Sequence, residues 1–189
     1  MTTIRPEHVL LVFVDGVGIG PASKTNPLAR ALLGFEFLSG GSRWVENALE
    51  VHKPEHVFKM IDATLGLPGL PQSGTGQATI FTGVNCAEVA GRHFGPFPHT
   101  TSRPLIQNRN LLILVANAFG TEAVAFANAF PARFLSYMTT SNRWTVTTAC
   151  CRAAGVRLRD GDDLIAGRAV AADLTGGGWE RQTAPPVVA

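Results

Sequence analysis

The segment QSGTGQAT places Ser73 in a glycine-rich turn directly before a run of residues that predicts a helix. Glycine lets the backbone turn tightly, so several N–H groups can point at one position, and the positive end of the helix dipole adds to them. This arrangement suits a phosphate or an oxyanion, and it would stabilise a phosphorylated or ionised Ser73. A second interpretation stays open, in which Ser73 or Thr75 only caps the helix.

Asp15 is the second residue whose position suggests chemistry. It follows the apolar run VLLVFV, residues 9–14, and so stands at the carboxyl end of a predicted buried strand, where ligands collect in open α/β sheets. Its carboxylate is a hard ligand for a divalent metal, which could activate the Ser73 hydroxyl and neutralise a phosphoryl group. Such a site needs further ligands, and Asp15 could equally be a turn-forming residue before Gly16.

The segment GRHFGPFP, residues 91–98, adds a basic pair to these candidates. Its two glycines and two prolines exclude regular structure, so Arg92 and His93 stand in a predicted loop. Both side chains suit anion binding, which makes them candidate substrate-binding residues. The alternative is that His93 is an ordinary loop histidine.

Familiar glycine and serine motifs do not account for these segments. A dinucleotide-binding GxGxxG motif beginning at Gly16 would need glycine where Pro21 stands, and the Walker lysine is replaced by Gln77. The residues around Ser73 also lack the GxSxG pattern of serine hydrolases.

The strands and helices that position these residues are predicted from the sequence. Their alternation along the chain predicts an α/β fold with a mainly parallel sheet flanked by helices. Residues 9–14 and 124–126 predict core strands, and residues 57–61 predict a short strand. Caps, apolar spacing and terminal glycines predict helices over residues 27–33, 78–81, 105–119, 132–137, 146–154 and 163–166.

Composition limits the classes of function. The chain has 189 residues, is 46% hydrophobic and carries a net charge of +2, which predicts one ordinary globular core. Its basic residues form no stripe with interleaved aromatics, so nucleic acid is not an expected partner. The apolar run before Asp15 is too short for a signal peptide or membrane span. Three cysteines without CxxC spacing favour a reducing cytoplasm.

Taken together, VLLVFVDG and QSGTGQATIFTG resemble the alkaline phosphatase superfamily of metalloenzymes, in its branch with phosphopentomutase and cofactor-independent phosphoglycerate mutase. The resemblance implies an alkaline-phosphatase-like fold and two divalent metal ions, Mn, Mg or Zn. It also implies that Asp15 is a metal ligand, that Ser73 is the nucleophile and touches a metal, and that Thr75 supports it. The later segments GRHFGPFP, FANAFPARF, SNRW and AVAADLT are similar to a bacterial group described as metalloenzyme-domain proteins.

One departure from the family concerns the second half of the chain. The family supplies further Asp and His ligands there, including a DxxGH segment, but no histidine follows His99. We therefore expect residues 1–175 to be a partial metalloenzyme domain, the N-terminal portion of a longer protein, with residues 92–143 related to a cap and residues 176–189 a flexible tail. The predicted function is metal-dependent phosphoryl transfer to or from a small phosphorylated molecule, by a hydrolase or a phosphomutase. The alternative is an incomplete fragment that binds phosphate or a partner without turnover.

Overall fold

The computed structural model describes residues 8–30, 36–41, 43–171 and 179, and in these ranges the protein is rich in helix. The chain divides into two compact units, Met1–Asp62 and Ala63–Ala189, which are described separately below. In the described ranges the sheets are two small pairs of strands. None of the helices in these ranges is long and apolar enough to cross a bilayer.

The first unit contains a short antiparallel hairpin and two single turns of 3-10 helix. Strand β1 (Val51–Lys53) pairs with strand β2 (His56–Phe58), so that His52 lies opposite Val57. The turns are Pro27–Ala29, capped by the side chain of Asn26, and Glu36–Ser39. The His56 ring lies 2.6 Å from the Leu38 carbonyl oxygen, and this contact ties the second turn to the hairpin.

The predicted core strand over residues 9–14 is absent, and this corrects the predicted fold class. The segment forms no ladder, and its side chains are exposed by between 47% at Phe13 and 84% at Val9. An apolar β-branched run becomes a buried strand only where neighbouring strands pair with it and other elements cover its faces. Within the described residues no mainly parallel sheet flanked by helices exists to do this, so the alkaline-phosphatase-like α/β prediction is wrong for this structure.

In the described ranges the second unit contains a turn of 3-10 helix (Thr121–Ala123) and seven α-helices: α1 (Ser73–Thr82), α2 (Cys86–Ala90), α3 (Arg103–Arg109), α4 (Leu111–Phe119), α5 (Ala132–Ser141), α6 (Val146–Ala153) and α7 (Gly161–Ile165). Helix α1 packs against α2, α3 and α6. The buried cluster at this junction consists of Ala78, Phe81, Cys86, Ile106, Val146 and Cys150. Helix α1, which begins at Ser73, is therefore anchored in the core of its unit.

The helix predicted over residues 105–119 is divided in two by Asn110. The buried Asn110 side chain accepts hydrogen bonds from the backbone N–H groups of Leu112 and Ile113 and donates to the Ile106 carbonyl oxygen at 2.7 Å. Asn110 thus ends α3 and caps α4, because its amide can serve both ends at once. The helices predicted around residues 78–81, 132–137 and 146–154 are confirmed by α1, α5 and α6.

The second small sheet joins distant parts of this unit. Strand β3 (Asn128–Ala129) runs parallel to β4 (Val170–Ala171), and the strand predicted over residues 124–126 is not formed. Residues 91–98 are a loop, as predicted, and the Gly95–Pro96 peptide bond is cis. The predicted flexible tail, residues 176–189, lies outside the described residues apart from Trp179.

Candidate functional site

Ser73 is the first residue of helix α1. Gln72 before it has an extended backbone and occupies the cap position, where its side chain makes no capping hydrogen bond. The Gln72 carbonyl oxygen instead accepts the N–H of Gly76 at 2.9 Å, so the first helical turn closes immediately after Ser73. Ser73 is half-buried and lies at the positive end of the helix.

Thr75 joins this end of the helix to the loop over residues 91–98. Its backbone N–H donates to the Phe94 carbonyl oxygen at 2.8 Å, and its Oγ1 accepts the N–H of Phe94 at 3.2 Å. Oγ1 also donates to the Gln72 carbonyl oxygen at 3.3 Å. The side chain is fully buried, so Thr75 holds the loop and the helix start together, and its predicted supporting role beside Ser73 stays a prediction.

Gly74 and Gly95 allow the two backbones to touch. A β-carbon at Gly74 would lie 2.5 Å from the Phe94 carbonyl oxygen and would also clash with the Phe97 carbonyl oxygen. A β-carbon at Gly95 would lie 3.2 Å from the amide nitrogen of Gly74 and 3.3 Å from that of Ser73. The loop therefore covers the amide end of α1, a close contact that the sequence analysis missed although both glycines were visible in it.

Arg92 and His93, the predicted substrate-binding pair, lie on this same loop. The Arg92 guanidinium is exposed and lies 5.5 Å from the centroid of the Phe94 ring. His93 is half-buried, and its Nε2 lies 3.4 Å from the Leu67 carbonyl oxygen. The structure thus brings the loop that carries Arg92 and His93 against the start of α1, which Ser73 and Thr75 form.

Asp15, the predicted metal ligand, lies in the first unit and Ser73 in the second. Asp15 is exposed and forms a turn with Gly16, whose φ of 75° lies in the left-handed region that favours glycine. Asp15 and Ser73 therefore belong to different compact units of the chain. The structure agrees with the turn-forming interpretation of Asp15, and the predicted ligand role of Asp15 stays a prediction.

The residues described here do not fit a two-metal site. Among them, no group of three or more His, Cys, Asp or Glu side chains could hold a metal ion. A divalent ion that activates a serine needs more protein ligands than one carboxylate and the serine itself. Any metal bound at Ser73 would need ligands other than those that the described ranges bring together.

Two further groups of ionisable side chains stand outside the predicted site. Burial raises the pKa of the Cys150 and Cys151 thiols to about 12, so neither is a nucleophile near neutral pH. The Asp163 carboxylate is buried and binds Arg157 at 2.6 Å and Arg168 at 3.1 Å. The hydrogen bond from Arg157, with those from the Asp160 N–H and Arg168, lowers the pKa of Asp163 to about 2.

No protein-family model, curated protein or solved structure matches this chain.

Proposed function

We propose that this protein acts on a small phosphorylated molecule, with Ser73 accepting the phosphoryl group. The observation that carries the proposal is the position of Ser73 as the first residue of α1, beneath a loop that Thr75 fixes in place. A helix start favours negative charge, and a serine hydroxyl there can become a phosphate ester with its charge stabilised. The resemblance of VLLVFVDG and QSGTGQATIFTG to the alkaline phosphatase superfamily supports the same chemistry.

The proposed reaction has two steps, and its acceptor in the second is water or a hydroxyl group. In the first, a bond forms between Ser73 Oγ and phosphorus, the bond from phosphorus to the ester oxygen breaks, and the serine proton ends on the departing alcohol. In the second, the oxygen of water or of another hydroxyl bonds to phosphorus, the bond from phosphorus to Ser73 Oγ breaks, and the proton of the attacking group restores the serine hydroxyl. Attack by water makes the protein a hydrolase, and attack by a substrate hydroxyl makes it a phosphomutase.

The resemblance also makes divalent metal ions, Mn, Mg or Zn, part of this proposal. Bound beside Ser73, they would neutralise the charge of the phosphoryl group. The described residues do not fit such a site, as shown above, so the steps here are assigned to the chain's own residues alone. Arg92 is an exposed cation on the loop that Phe94 ties to Thr75, and it can supply positive charge to the phosphate.

A second candidate function is phosphate binding without turnover. It is favoured by the lack of a three-ligand metal group in the described ranges, because phosphoryl transfer in the resembled family depends on two ions. In this case the start of α1 and Arg92 would hold a phosphate ester, and Ser73 would stay unmodified. Detection of phosphoserine at position 73 separates the two candidates.

We place either activity in the cytoplasm. Cys86, Cys150 and Cys151 are free and buried in the structure, and unpaired cysteines are typical of a reducing compartment.

The test compares Ser73→Ala with Ser136→Ala, a control that removes an exposed serine hydroxyl from α5. Purified proteins are incubated with para-nitrophenyl phosphate and Mn²⁺, Mg²⁺ or Zn²⁺, and release of nitrophenol and phosphoserine are measured. We expect Ser73→Ala to lose phosphoserine and to turn over on the order of 100-fold more slowly, because the nucleophile is gone. The control should match the parent protein.

An unchanged rate for Ser73→Ala would show that Ser73 is not the nucleophile. Binding of inorganic phosphate without release of nitrophenol, in every metal, would instead establish the second candidate.

A further inference from the structure

Arg143, in the segment SNRW, contacts the loop that covers the start of α1. Its guanidinium lies 5.8 Å from the centroid of the Phe97 ring, and the Phe97 carbonyl oxygen lies against Gly74, next to Ser73. On the same loop, Arg92 lies over the Phe94 ring. Two arginines from distant parts of the chain therefore rest on two aromatic rings of one loop.

The turn that carries Arg143 is held in a defined conformation. Asn142 has a φ of 51°, in the left-handed region that Asn adopts more readily than most residues, and it ends helix α5. Its Oδ1 accepts hydrogen bonds from Trp144 Nε1 at 3.2 Å and from an Arg152 nitrogen at 3.4 Å. Arg152 also lies 4.8 Å from the Trp144 ring centroid. Contacts among Asn142, Trp144 and Arg152 thus fix the conformation of the turn. The Arg143 guanidinium is not one of the groups in these contacts.

Arg92, on the loop, and Arg143, in the turn after α5, both have their charge available to a ligand. Arg92 and Arg143 are exposed, and in the described ranges neither forms an ion pair with a carboxylate, unlike Arg157 and Arg168. Contact with an aromatic face orients a guanidinium without using its N–H donors, which stay free to bind oxygens in a bidentate way.

We propose that Arg143 is a substrate-binding residue of the Ser73 site and that, together with Arg92, it binds the oxygens of a phosphate group. The inference rests on the proposed function for the identity of the ligand, but it is tested by binding alone. The inference assigns a role in ligand recognition to the segment SNRW, because its Arg143 contacts the loop at Phe97. It also places Arg143 near Ser73, although the two residues are seventy positions apart in the sequence.

The experiment measures the binding of inorganic phosphate by titration calorimetry at low and moderate salt. Arg143→Gln should weaken binding about tenfold, because it removes the charge and the paired N–H donors that bind two phosphate oxygens. The phosphate affinity of Arg143→Lys should lie between those of the parent protein and Arg143→Gln, since lysine keeps the charge and loses the bidentate geometry. Arg109→Gln removes an equal charge from an exposed position in α3 and should bind phosphate as the parent protein does.

Circular dichroism of each variant establishes that it is folded. Equal phosphate affinity for folded Arg143→Gln and Arg109→Gln would overturn the inference, as would the absence of phosphate binding by the parent protein at millimolar concentration.

The outcome is separable from that of the proposed function. If Arg143→Gln weakens phosphate binding while Ser73→Ala retains turnover, then the anion site stands and the nucleophile assignment fails. If Ser73→Ala loses phosphoserine while Arg143→Gln binds phosphate normally, then the nucleophile assignment stands and the role of Arg143 fails.

Discussion

At the scale of single residues, Gly74 and Gly76 differ sharply although they share one helical turn. A β-carbon at Gly74 would meet backbone carbonyl oxygens of Phe94 and Phe97, whereas a β-carbon at Gly76 would meet no atom within 4 Å. Backbone atoms cannot move aside as a flexible side chain can, so the loop itself would have to shift. Gly74 is therefore required by packing, and Gly76 is not.

We predict that Gly74→Ala and Gly76→Ala change stability in opposite directions. Gly74→Ala should lower the free energy of unfolding by about 1 to 3 kcal/mol, the usual cost of overpacking. Gly76→Ala should raise it by about 0.5 to 1 kcal/mol, because alanine has the better helix propensity. Urea unfolding followed by circular dichroism measures both, and changes of the same sign and size would contradict the contact between Gly74 and the loop.

Asp163 gives the second prediction at this scale. Its pKa is lowered to about 2, first by the hydrogen bond from Arg157, so the unfolded chain binds a proton at this group more readily than the folded protein does. Its stabilising contribution is thus complete above about pH 4, the ordinary range of an aspartate, and is lost as the pH falls towards 2. Asp163→Asn should flatten the dependence of stability on pH in this window.

The comparison is made with Asp162→Asn, which changes the exposed neighbour of Asp163 in helix α7. Thermal unfolding between pH 2 and pH 7 should show the flattening for Asp163→Asn alone. The same curve for both variants would mean that the Arg157 contact does not stabilise the fold.

At the scale of elements, the boundary between α3 and α4 depends on one side chain. The apolar spacing over residues 105–119 is continuous, so periodicity alone predicts a single helix. The break follows from Asn110, whose amide is buried and binds backbone groups on both sides. In the sequence alone, Asn110 does not interrupt the helical pattern. Its burial in the structure shows that it acts as a cap.

We predict that Asn110→Ala lowers the free energy of unfolding by about 2 kcal/mol, because two N–H groups of α4 lose their cap and the Ile106 carbonyl loses a donor. Asn108→Ala, at an exposed position inside α3, is the matched control and should be neutral or slightly stabilising. Chemical unfolding distinguishes them, and a neutral Asn110→Ala would show that the helix break does not need the cap.

At the scale of the whole molecule, features that depend on neighbouring residues could be predicted from the sequence, and features that depend on distant residues could not. The helices predicted over residues 78–81 and 146–154 and the loop over residues 91–98 depend on nearby residues, and these predictions are confirmed. The glycine-rich turn predicted at Ser73 is wrong, because residues 73–77 already belong to α1. The predicted strand over residues 9–14 depended on partners from elsewhere in the chain, and its side chains are exposed instead. Likewise, no local pattern could connect Arg143 to Phe97, because the two residues lie far apart in the sequence and meet only in the folded unit.

The reciprocal hydrogen bonds between Thr75 and Phe94 also set a condition on ligand entry. The Thr75 N–H already has an acceptor in the Phe94 carbonyl oxygen, so a phosphate that sought this amide would compete with the protein's own backbone. Affinity for such a ligand is then reduced by the free energy needed to release the loop. Exchange of the Thr75 amide hydrogen with solvent reports this release, because that hydrogen is protected only while the loop stays in place.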